Sequence, residues 1–215
     1  MTLKRIYLLL LMLLPALVLG SPGSPLRADP PERFLPAGSC FGLMADRLDA
    51  LSAQWSKTEL GRLVSGQRFA ALRQETASRN LPSPLYLRPW FGFDWRELSQ
   101  WDAPAALVVV PLADRRAGVA WVFPTADANR ARAVFLNASE VYFRDRGYTR
   151  VEEPSEGNGI LYSFRPPASE AGALKPVYFV TPSAVGAATD PAVAGQIVDC
   201  IAGKSPPLSD SREFQ

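Results

Sequence analysis

Three acids stand among three tryptophans in RPWFGFDWRELSQWDAP, Arg88 to Pro104. They are Asp94, Glu97 and Asp102, beside Trp90, Trp95 and Trp101. Carboxyl groups set against indole rings are the material of a carboxylate-based hydrolase acting on sugars, where two acids flank a cleft. Without catalysis, the same rings could form a platform on which a carbohydrate or peptidoglycan strand stacks. A simpler reading uses the same letters. Asp94-x-x-Glu97 has the spacing of a helix N-cap and its N3 partner, which employs both acids with no cleft. It makes DWRELSQW a short helix with Trp95 and Leu98 on one face. The segment then leads into the most apolar expected strand of the chain. On that reading the tryptophans plug a core, with Trp90 the ring most open to water.

Other chemistry is sparse. The chain has no histidine, which takes away the commonest general base and metal ligand and any Ser-His or Cys-His pair. Its two cysteines, Cys40 and Cys200, cannot make a Cys-rich zinc site. They form no CxxC redox motif. Gly157-Asn158-Gly159 reads as a turn and lacks the phosphate-loop pattern. Glu152-Glu153 reads as a solvated strand edge, and Asp114-Arg115-Arg116 as a solvated hairpin tip. Asn137-Ala138-Ser139 has the glycosylation pattern but falls inside an expected helix. No catalytic residue, cofactor or metal ligand is assigned.

The N-terminus bears on the compartment. Lys4 and Arg5 precede the unbroken apolar run Ile6–Leu14, and Pro15–Gly20 leads to small residues. This is the layout of an export signal, and it is shorter than the roughly 20 apolar residues of a spanning helix. Cleavage after Gly20 gives a periplasmic or extracellular protein with no stable membrane span. An uncleaved N-terminal anchor is the alternative. Removing Lys4 and Arg5 takes the 23 basic residues to 21, against 21 acidic. Such a balance offers no basic stripe for nucleic acid. A protein or glycan partner remains open. In an oxidising compartment Cys40 and Cys200 are also a candidate disulfide closing a very long loop. The alternative is two buried thiols acting as small apolar groups.

The elements follow from patterning. Ser21–Pro36 reads as a Pro-rich, extended linker. Gly38–Ala45 reads as a strand. Leu48, Leu51 and Trp55 share one helix face, and Ser56-x-x-Glu59 marks a fresh helix start running to about Arg79. Ala105–Leu112 and Val119–Phe123 read as an apolar hairpin. A helix capped by Thr125 or Asp127 follows to about Arg146, burying Ala131, Val134, Phe135, Ala138, Val141 and Tyr142, and Gly147 ends it. Tyr148–Glu153 and Ile160–Phe164 flank the Asn-Gly turn. Val177–Val180 and Ala184–Ala188 form another hairpin. Asp190 caps a last helix with Pro191 at N1 and Gly203 at its end.

The sum is an α+β domain over residues 37–203, an antiparallel sheet of hairpins with helices on one face. Residues 204–215 read as a linker or the start of a further unit.

WSKTELGRLVSGQRF, FDWREL, TRVEE…GILYSF and VYFVTPSAVGAATDPAVAGQIVDCIAG occur here in an order that resembles a family of large exported bacterial proteins of unknown function, abundant in planctomycete-type genomes. PLSDSREF resembles the linker that opens that family's next segment. The resemblance implies export, an α+β unit and a shortened N-terminal part of a longer protein. It implies no catalytic residues. The reading that follows is an exported, non-catalytic envelope or extracellular interaction domain. The carbohydrate module using Trp90, Trp95 and Trp101 and the carboxylate hydrolase stand as alternatives.

Overall fold

The computed structural model describes residues 30–59, 62, 66, 67, 70, 87–113, 116–125, 127–155, 159–170 and 176–211. The expected export signal, residues 21–29 of the linker and most of residues 60–86, including most of the helix expected to run to about Arg79, lie outside the described residues.

One antiparallel sheet organises the chain. Its strands are β1 (Phe41–Ala45), β2 (Ala105–Pro111), β3 (Ala117–Pro124), β4 (Thr149–Ser155), β5 (Gly159–Arg165), β6 (Val177–Val180) and β7 (Ala184–Ala188). They lie in the order β1-β2-β3-β7-β6-β5-β4. After the β2–β3 hairpin the chain crosses by a helix to the far edge. From there it meanders back through β4, β5 and β6, until β7 pairs with β3. Ser155 pairs opposite Gly159 at the end of the β4–β5 hairpin, and Asn158 of the expected turn lies outside the described residues.

The helices are α1 (Leu48–Trp55), α2 (Arg88–Phe91), α3 (Trp95–Leu98), α4 (Ala128–Ala131), α5 (Asn137–Arg144) and α6 (Pro191–Ile201). Several caps follow the sequence closely. Asp127 accepts from the Arg130 amide at 3.0 Å, while the Thr125 hydroxyl accepts from the Asp127 amide at 2.9 Å. Asp190 accepts from the Ala192 amide at 2.9 Å. The capping pattern at Ser56 is displaced: its hydroxyl donates to the Ala53 carbonyl, and the next turn opens at Thr58, whose carbonyl accepts from the Arg62 amide.

Helices cover both faces of the sheet, which corrects the one-face expectation. Successive side chains of a strand point to opposite faces. Leu107, Val109, Val119, Trp121 and Phe123 pack with Leu98, Phe135 and Phe143 on one side. Ala106, Val108, Val110, Ala120 and Val122 pack with Val193, Ala194, Ile197 and Val198 of α6 on the other. Strands apolar at every position, such as β2 and β3, need cover on both faces. The far edge differs: β4 presents Glu152, Glu153 and Pro154 to solvent, a composition that discourages further strand pairing.

Two further expectations change. The linker does not stay extended up to Pro36. Pro31–Phe34 is a 3-10 turn, and Phe34 and Leu35 enter the α6-side core. In the helix after β3, the buried set is Ala131, Phe135, Leu136, Ser139 and Phe143, and Val141 is exposed. The cause is a π-helical segment, Arg132–Leu136, between α4 and α5. A π turn holds one extra residue. Positions beyond it therefore rotate by one, so Ser139 and Phe143 take the places expected of Ala138 and Tyr142.

Candidate functional site

The aromatic segment 88–104 is the first place to look for chemistry, and the structure folds it inward. Trp90 is 3% exposed and Trp101 is fully buried. Trp101 packs at 5.7 Å from Phe123 and 5.3 Å from Phe135. Phe123 and Phe135 stack at 3.9 Å. Phe93 joins them at 5.2 Å from Phe135. Each well-placed ring pair adds about 0.5–1.5 kcal/mol beyond area burial. The Trp101 indole N–H donates to the Pro104 carbonyl at 3.0 Å, so its polar atom is satisfied inside. Above the ring lies the Arg130 guanidinium, 5.3 Å from the centroid. It is held there by an ion pair with Asp102. A sugar stacking on Trp101 would need the place Arg130 takes.

A platform requires at least two open ring faces. Trp90 and Trp101 supply none, so the three-ring arrangement is corrected for these two residues, and Trp90 is not the open ring. Trp95 opens α3, and its side chain lies outside the described residues.

The carboxylates of Glu97 and Asp102 are engaged in structure. The Asp94 amide donates to a Glu97 carboxylate oxygen at 2.8 Å, the return half of a capping box. The other Glu97 oxygen accepts from Arg88 at 2.9 Å, tying α3 to α2. Glu152 pairs with Arg150, which also holds Glu140 at 2.8 Å. Of the acidic-basic tip, Asp114 and Arg115 lie outside the described residues, and Arg116 sits 3.7 Å from Asp190. Among the described residues no three His, Cys, Asp or Glu side chains gather as a metal site.

The candidate disulfide is corrected. Both cysteines are free, Cys40 exposed and Cys200 buried. Cys40 precedes edge strand β1, and its thiol reaches the Val109 carbonyl at 3.5 Å. Cys200 lies on α6 under the N-terminal segment, with its thiol 3.4 Å from the Leu35 carbonyl and 3.6 Å from that of Arg33. Burial, with Asp210 nearby, pushes the Cys200 thiol up to about 11. It therefore stays protonated and is a poor nucleophile at neutral pH.

Sequence reasoning missed a buried polar knot beneath the same segment. Gly92 closes α2 in the left-handed conformation, φ 67°, and donates to the Arg88 carbonyl at 2.7 Å. The turn aims the Phe91 carbonyl into the core. There it accepts from the Tyr178 hydroxyl. The Ser139 hydroxyl lies 3.0 Å from it and 2.7 Å from the Phe135 carbonyl, donating to one at a time. Burial drives the Tyr178 phenol far above its ordinary range, so it serves as a neutral donor. The signal that could have revealed the knot is Ser139 itself, a polar residue one step from the expected apolar face.

An open cleft of about 680 Å³ lies at the end of α6, lined by Arg33, Cys200, Lys204, Ser205, Ser209 and Asp210 among others. Its charged side chains carry both signs and are exposed. No helix among the described residues is long and apolar enough to cross a membrane. No family model, curated protein or solved structure matches the chain.

Proposed function

We propose that this chain is an exported α+β domain that works by binding in the envelope or extracellular space, without catalysis of its own. The observation that carries the non-catalytic part is the use made of Arg88–Pro104. The Glu97 carboxylate accepts from the Asp94 amide and pairs with Arg88, Asp102 holds Arg130 over Trp101, and the Trp90 and Trp101 rings are interior. A hydrolase needs two acids facing a cleft, and this segment spends the carboxylates of Glu97 and Asp102 on structural contacts. The export part rests on Lys4-Arg5, the apolar run that follows and the small residues at Gly20-Ser21. The partner is a protein or a glycan of the envelope, met by a surface other than the indoles of Trp90 and Trp101.

Expression of the full chain in a bacterial host, followed by fractionation and mass determination of the N-terminus, tests export. The expected product lies outside the cytoplasm and begins at Ser21. Incubation of the purified protein with peptidoglycan sacculi tests the second part. Release of soluble fragments that disappears in Glu97→Gln or Asp102→Asn would overturn the non-catalytic reading.

A further inference from the structure

The first and last described segments of the chain close on each other. Pro36 and Pro207 form an isolated antiparallel bridge. The Leu208 amide donates to the Leu35 carbonyl at 2.7 Å, and the Ala37 amide donates to the Pro206 carbonyl at 3.1 Å. Beneath this clasp, Phe34 and Leu35 insert between α6 and the sheet, and the Arg33 and Leu35 carbonyls roof the Cys200 thiol. Residues 30–37 stand outside the sheet ladders. Pro30, Pro31 and Pro36 bring no amide donors. The turn after them closes on the Pro36 carbonyl through Ser39, and a side chain at Gly38 would meet nothing within 4 Å.

We infer that residues 30–37 form a strap that opens as a unit about the Pro36–Ser39 turn, uncovering Cys200 and the apolar seat of Phe34 and Leu35 while the sheet stays folded. Phe34, Leu35, the buried Pro31 and Pro36 and a short clasp hold the strap, whereas each central strand is held by ladders on both sides and by cores on both faces. Segments with few buried contacts and few backbone bonds open below the global unfolding free energy. Closure also joins positions about 170 residues apart, so the strap seats only once the far end of α6 is in place. In an exported chain that order leaves the segment nearest the export signal free until the domain is otherwise formed. This consequence rests on the export reading; the strap itself does not.

Native-state hydrogen exchange tests the strap without any substitution. The clasp amides of Ala37 and Leu208 should exchange at least tenfold faster than the ladder amides of β2 and β3, with little dependence on urea. Equal protection, with the urea dependence of global unfolding, would overturn the proposal. Thiol labelling gives a second reading in a Cys40→Ser background, which removes the exposed thiol. Leu208→Pro deletes the clasp donor and should raise Cys200 labelling at least tenfold, with the far-UV spectrum and the unfolding midpoint of the sheet retained. Cys200 labelling that rises only together with loss of the sheet would show that strap and sheet are one unit.

Discussion

Gly92→Ala is the sharpest perturbation of the fold. A methyl at Gly92 would lie 2.7 Å from Phe143 Cε2, 2.7 Å from Ser139 Cβ and 2.8 Å from Ser139 Cα. The last is backbone, so no rotamer change relieves it. Two costs add. The left-handed conformation, φ 67°, costs an L-residue about 1–2 kcal/mol. Forcing α5 away from the α2 turn adds about 1–3 kcal/mol of overpacking. It also pulls Ser139 and Tyr178 from the Phe91 carbonyl. The sum, about 2–5 kcal/mol, is a large part of the roughly 5–15 kcal/mol that holds a domain together. Gly147 supplies the control. It has φ 77° at the end of the same helix, with nothing within 4 Å of an added methyl, so Gly147→Ala should cost only the backbone share. Urea unfolding followed by far-UV circular dichroism measures both. A Gly92→Ala loss no larger than that of Gly147→Ala would refute the close approach of α2 and α5.

Two further outcomes follow from the same interior. Ser139→Ala and Tyr178→Phe each leave the Phe91 carbonyl one donor and should cost about 1–2 kcal/mol. The double variant leaves it none and should cost more than the sum of the two, by about 1 kcal/mol or more, in a double-mutant cycle. The Cys200 pKa is raised, so its contribution is complete below the unfolded thiol value near 9 and declines as pH rises toward about 11. Wild-type protein should lose up to about 2 kcal/mol over that window. Cys200→Ala should show a shallower alkaline slope there.

What the sequence disclosed was local. The β2–β3 and β6–β7 hairpins, the Asp127 and Asp190 caps, and Gly147 and Gly203 as helix ends are each set by a few neighbouring residues. The Asp94–Glu97 box was legible for the same reason, and it pointed to the tryptophans as core. What stayed hidden depends on distant partners. Phe34 and Leu35 look like part of a Pro-rich linker until α6 and residues 206–208 are brought beside them. The π turn at Arg132–Leu136 has no local mark, yet it shifts every later residue of the helix by one position. That is why Val141 is exposed and Ser139 buried. Helix placement was half visible: unbroken apolar strands announced a sheet covered twice, while the hairpin pattern alone suggested one covered face. Nor could spacing decide whether Cys40 and Cys200 pair, because that depends on where α6 and β1 come to lie.

The indoles at 90 and 101 serve the core and not a ligand surface. The most direct measurement is acrylamide quenching of tryptophan fluorescence in a Trp55→Phe/Trp95→Phe variant. It retains Trp90, Trp101 and Trp121, which are 3%, 0% and 5% exposed. The expected result is a nearly flat Stern–Volmer plot in the folded protein, steepening only on unfolding in urea. A slope approaching that of free N-acetyl-tryptophanamide while the far-UV spectrum remains folded would contradict it.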